Sequence, residues 1–130
     1  MQKKGDIEWF IPVDKLEGES KQIALNVNDL IKLHVENVLK IVGIVASYAS
    51  GDFSPVLEEL PGKQKIANEK LNLLRGNLVS LTVDANMLSK AAVEGKLATR
   101  ADATKHEGDF RKIVQGVNDT LDAVIGPLNV

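Results

Sequence analysis

The chain contains no cysteine, which excludes disulfides, thiolate metal sites and cysteine nucleophiles and leaves a reducing compartment compatible with it. Aromatic residues are scarce at 4%, with one Trp and one Tyr, so a core built around rings is disfavoured and aliphatic seams on long helices are expected. Neither sign of charge dominates: the net charge is −2 with Lys and Arg scattered, which argues against polyanion binding. Long hydrophobic runs are also missing. The longest, Ile41 to Ala46, is interrupted by Gly43 and falls far short of the ~20 residues that span a bilayer. The charged start, Met1 to Asp6, does not lead into a signal-peptide core, so a soluble segment is expected.

What the chain does have is a repeat. A Gly is followed ten positions later by an Asn three times: Gly18 to Asn28, Gly62 to Asn72 and Gly108 to Asn118. Upstream of each lies a second Gly with a bulky apolar residue two positions on: Gly5 and Ile7, Gly51 and Phe53, Gly95 and Leu97. Supersecondary repeats of this kind imply an array whose members do not bury their apolar faces alone.

Apolar periodicity fills the repeat with helices. From Glu19-Ser20 onward, Ile23, Val27, Leu30, His34, Val38, Ile41, Val45 and Tyr48 alternate by four and three, a heptad seam with one polar member. A second seam through Val35, Val38, Val42, Val45 and Ala49 widens the face enough to touch two neighbours, as in a four-helix bundle. Gly51 stops this helix, and Pro55 and Pro61 keep the connector up to Gly62 non-helical. The next helix is expected from Lys63 to Glu94 on the seam Ala67, Leu71, Leu74, Leu78, Leu81, Ala85, Leu88 and Ala92. After Gly95 comes a polar connector, Lys96 to Glu107, and a last helix from Gly108-Asp109 with a kink or fraying expected at Gly126-Pro127. The chain stops before this helix does and reads as a piece of a longer protein. Seams this apolar on single helices are more than a soluble monomer usually exposes, so parallel self-association is expected.

Several residue groups are candidates for chemistry. His34 and His106 lie in different repeats with no carboxylate at a metal-ligand spacing, and are read as a seam-edge and a connector histidine. Glu58-Glu59 has no accompanying nucleophile, second base or oxyanion donor and is read as solvated. The glycines match neither phosphate-cradle pattern. Asn118-Asp119-Thr120 fits a glycosylation sequon but falls within an expected helix. Tyr48 with Phe53, and Trp9 with Phe10, suit packing better than ligand binding. No enzyme, cofactor or metal site is expected.

The stretches Ile11 to Gly18, Val45 to Phe53, Leu60 to Gln64, Gly108 to Val114 and Leu121 to Val130 resemble concatenated HAMP signalling modules of bacterial methyl-accepting chemotaxis proteins. The resemblance implies an all-α fold: tandem modules in a parallel homodimeric four-helix coiled-coil stack with long shared helices. It divides the chain into a partial module at 1–33, a complete one at 34–80 and a further one at 81–130. Function by this resemblance is non-catalytic relay of conformational change from sensor to output domain in a cytoplasmic region, with no nucleic acid and no membrane insertion by this segment. A sensor histidine kinase regulatory region and a structural spacer are the alternatives. The residues expected to carry the relay are Val38, Val45, Leu71, Leu74, Leu78 and Leu81 on the seams, with Gly51, Phe53, Leu60, Gly62 and Leu97 in or beside the connectors. Val56 is an alternative to Leu60, and Ile7 is the first module's counterpart. A buried Phe53 ring predicts a loss of ~3 kcal/mol on substitution by alanine.

Overall fold

A computed structural model describes residues 10–128; Trp9, Ile7 and Gly5 lie outside the described residues. The described chain is helical, with three long helices: α1 (Gly18–Ala49), α2 (Lys65–Val93) and α3 (Gly108–Leu128). Short 3₁₀ turns precede them at Val13–Lys15, Gly62–Gln64 and Ala103–Lys105. α1 starts one residue ahead of the predicted Glu19. α2 starts later than predicted because the chain first makes the 3₁₀ turn Gly62–Gln64. α3 continues past Pro127 to Leu128, so the proline does not end it.

The repeat glycines act as punctuation. Gly51 and Gly95 have φ of 91° and 80°, the left-handed region that a side chain rarely adopts. Each closes a Schellman motif: Asp52 N donates to Ser47 O at 2.9 Å, and Lys96 N donates to Ala91 O at 2.8 Å. The last carbonyls of α1 and α2 are satisfied, and the chain turns back along the helix it has just left.

Two separate apolar clusters result. One joins Tyr48 of α1, Leu57 and Leu60 of the middle connector, and Leu71 of α2, with Phe53, Leu74 and Leu78 packed around it. The other joins Leu88 of α2, Ala101 and Ala103 of the last connector, and Val114 of α3, with Leu81 and Leu121 alongside. α2 therefore serves both, its first half in one cluster and its second half in the next. No helix among the described residues is long and apolar enough to cross a membrane.

Candidate functional site

The sites of interest are the joints where each connector meets its helices. In the middle joint the Tyr48 hydroxyl donates to Pro55 O at 2.6 Å, and its ring meets Phe53 edge-on with centroids 6.3 Å apart. Arg75 of α2 donates from Nε to Phe53 O at 2.6 Å, and Lys40 pairs with Glu58, so both flanking helices grip this connector. Phe53 itself is half-buried. Its replacement by alanine is accordingly expected to cost about 2 kcal/mol, below the range for a fully buried ring, as read by denaturant unfolding.

Asparagine carboxamides fasten the connector backbones to the second helix of each joint. Asn28 accepts from Ile11 N at 2.7 Å and donates to Ile11 O at 2.9 Å. Asn118 makes the same pair of bonds with Ala101, at 3.0 and 2.8 Å. In the middle joint Asn68 accepts from Leu60 N at 2.9 Å and donates to Leu57 O and Glu58 O at 3.2 and 2.8 Å. One carboxamide offers both a donor and an acceptor, so at Ile11 and Ala101 it satisfies the N–H and C=O of one residue as a neighbouring strand would. No buried side-chain polar atom among the described residues is left without a partner.

A second set of polar contacts ties the first helix of a joint to the start of the second. Asn37 of α1 donates to Gln64 Oε1 at 2.8 Å. In the last joint His106, in the connector just ahead of α3, reaches α2: its Nε2 lies 2.6 Å from Asp84 Oδ2, with side chains only 2% and 6% exposed, and Lys105 Nζ stands 3.4 Å from the other oxygen. The hydrogen bond from His106 holds the Asp84 carboxyl below the usual carboxylate range, helped by the Lys105 charge and opposed by burial. Arg111 Nε donates to His106 O at 2.8 Å, fixing the same residue from α3. The histidine read as an isolated connector residue is thus a buried bridge. Ser54 and Thr104 hold Asp52, at the head of the middle connector, and Asp102, which caps the 3₁₀ turn of the last, below the usual carboxylate range through side-chain and backbone hydrogen bonds.

Among the residues singled out from the sequence, Leu60 (3% exposed) and Leu71 are buried together, and Phe53, Leu74, Leu78 and Leu81 are half-buried around the clusters. Gly51 and Gly62 are exposed at the two ends of the middle connector. Val38 and Val45 remain 43% and 44% exposed, and Leu97 is exposed as well. Leu57 rather than Val56 points inward beside Leu60. In the last connector Ala101, Ala103 and His106 are the buried residues. No group of three or more His, Cys, Asp or Glu suited to a metal occurs among the described residues. The hollow beside Asp84, between α2 and α3, measures about 40 Å³, too small for an ordinary small-molecule ligand.

Recognised sequence families match the middle joint and part of the last. The HAMP N-terminal domain 3 family matches residues 39–79, and the HAMP domain family matches residues 105–130. Both stretches therefore carry HAMP-type sequence. It is also 36% identical over 74 residues to the methyl-accepting chemotaxis protein McpB of Pseudomonas aeruginosa, a match covering 57% of this chain and 11% of that protein. The chain thus spans about a tenth of the length of that curated relative. Within the HAMP matches lie the Tyr48–Leu57–Leu60–Leu71 cluster with Asn68, and His106, Val114 and Asn118. Asp84 falls between them, on the part of α2 beyond the first match.

Sequence reasoning passed over Asn37, Asn68 and Asp84, and read His106 as a connector histidine with no carboxylate at a metal-ligand spacing. The Gly-to-Asn spacing marks Asn28 and Asn118 but neither Asn37 nor Asn68, which stand at other distances from the repeat glycines. No local pattern links Asp84 to His106, which are 22 residues apart and meet only across a connector.

Proposed function

We propose that this chain is a relay segment of a bacterial chemoreceptor, a non-catalytic HAMP array that passes a conformational change from a sensor to an output domain of the same parent protein. The modules are those read from the repeat: a partial module at 1–33, a complete one at 34–80 and a further one at 81–130. The working unit is a parallel homodimer in the cytoplasm, with a four-helix bundle at each module.

The observation that carries this reading is the double membership of α2, whose Leu71 packs in one cluster and whose Leu88 packs in the next. A rotation or tilt imposed on its first half must reach the second half, because packed clusters switch between discrete arrangements and do not deform smoothly. Val38 and Val45, left exposed in a single chain, supply the seam for a second copy, with Leu74, Leu78 and Leu81 continuing it on α2. Gly51, Phe53, Leu60, Gly62 and Leu97 then hold the connectors against that bundle. The similarity to McpB supports the chemoreceptor context.

The absence of native cysteine makes the test clean. Val45→Cys should form a homotypic disulfide under mild oxidation, because equivalent residues of a parallel pair approach within the ~7 Å Cα distance a disulfide tolerates. Light scattering should give twice the chain mass. A helical monomer, or a dimer that fails to cross-link at either Val45→Cys or Val38→Cys, would overturn the parallel relay.

A further inference from the structure

The three joints use the same parts, yet the middle one is wired differently. Counted between glycines, the first and last connectors run thirteen residues, Gly5 to Gly18 and Gly95 to Gly108, whereas the middle one runs eleven, Gly51 to Gly62. In the two long connectors the residue two before the helix-starting Gly donates to the residue five before it. These bonds are Leu16 N to Val13 O and His106 N to Ala103 O, both 3.1 Å, and they close the 3₁₀ turns Val13–Lys15 and Ala103–Lys105. The equivalent residues of the middle connector are Leu60 and Leu57, and no such turn forms there.

Asn68 takes both halves of the missing bond. Its Oδ1 accepts from Leu60 N and its Nδ2 donates to Leu57 O, so the carboxamide sits between a donor and an acceptor that pair directly in the other connectors. The residues at its position in the flanking repeats, Ala24 and Val114, are equally buried but carry no carboxamide. Opening the turn also lengthens the path: a 3₁₀ turn rises about 2 Å per residue and extended chain about 3.3 Å, so straightening three residues regains roughly 4 Å of the span lost with two residues.

A second substitution removes the alternative. In the first and last joints the residue seven before the Gly, Ile11 or Ala101, gives its amide to the Asn ten after it. In the middle repeat those positions are Pro55 and Asn72. Proline has no amide to give, Pro55 O is taken by the Tyr48 hydroxyl, and Asn72 is exposed.

We infer that Asn68 and Pro55 together select the extended path of the middle connector, Asn68 by opening the turn and Pro55 by disabling the clamp that Asn72 would otherwise form. Both are positioning residues. The inference concerns the connector path alone and stands whether or not the chain relays a signal.

Single alanine variants of the 130-residue chain test it, with thermal unfolding and amide hydrogen exchange by NMR as readouts. Asn118→Ala should lower the melting temperature while Asn72→Ala leaves it unchanged, although both asparagines occupy the same repeat position. In the unaltered chain the Leu60 amide should be protected, and Asn68→Ala should accelerate its exchange about tenfold or more with no change at Ala101. In a Pro55→Ala/Asn68→Ala chain the amide gained at position 55 should become protected, and adding Asn72→Ala should abolish that protection. An Asn72→Ala chain as destabilised as Asn118→Ala, or a Leu60 amide that exchanges freely in the unaltered chain, overturns the inference even if the multiple variants do not fold. So does a folded double variant in which the amide gained at position 55 exchanges freely.

Discussion

Replacing His106 with alanine is expected to destabilise the last module by about 3 kcal/mol, the usual consequence of leaving a buried carboxylate without its hydrogen-bond partner. Asp84 would be left in a site 6% exposed, with only Lys105 at 3.4 Å to offset its charge. Thermal unfolding followed by circular dichroism measures the loss. Substituting both residues with well-packed apolar side chains, as in Asp84→Leu/His106→Leu, should cost less than His106→Ala alone, because the desolvation of the pair disappears with its attraction. If the double change costs the sum of the two single ones, the residues act independently and the bridge contributes no coupling.

The same pair sets an acid limit. Asp84 has its folded-state pKa lowered below the ordinary value of 3.8, first by the His106 hydrogen bond and then by Lys105. Its contribution is therefore complete above the unfolded-state pKa and is lost as pH falls through the lowered folded value. Stability should decline below about pH 4, and Asp84→Asn should flatten that part of the profile. The Asn37–Gln64 contact of the middle joint holds no ionisable group, so substitution there should leave the pH profile unchanged.

Leu60→Ala should be comparably damaging, at about 3 kcal/mol, since the side chain is only 3% exposed and is enclosed by Tyr48, Leu57 and Leu71. The effect should be local. Leu88, Ala101, Ala103 and Val114 form a separate cluster, and neighbouring units in a repeat array unfold with partial independence. Hydrogen exchange should rise around Tyr48 and Leu71 while amides near Val114 keep most of their protection; a uniform rise would mean the two joints melt as one unit.

The helices were legible from the sequence because heptad spacing and left-handed glycines are local signals. Gly51 and Gly95 mark the C-terminal boundaries closely, and the discrepancy at the start of α2 arises from a 3₁₀ turn that apolar periodicity does not register. The buried polar residues were not legible in the same way. A seam drawn through apolar positions bypasses Asn37, Asn68 and Asp84, although each is more buried than Val38 or Val45. Asn118 was noticed as a landmark of the repeat, and its use, a clamp on a peptide unit seventeen residues earlier, depends on the connector folding back. The His106–Asp84 bridge depends on the same reversal. Neither residue type nor spacing identifies a partner that only the returning chain delivers.

The double membership of α2 also makes residue number in that helix a measure of angle. Leu71 and Leu88 are seventeen residues apart, which places the two clusters about 25 Å apart along the axis and about 100° apart around it. A one-residue deletion between them would swing the second cluster by roughly 100°, whereas a seven-residue insertion would displace it by only ~20° while moving it about 10 Å further along. The spacing between neighbouring modules is therefore free to change in heptads but not in single residues, and the length of the helix stores their relative orientation.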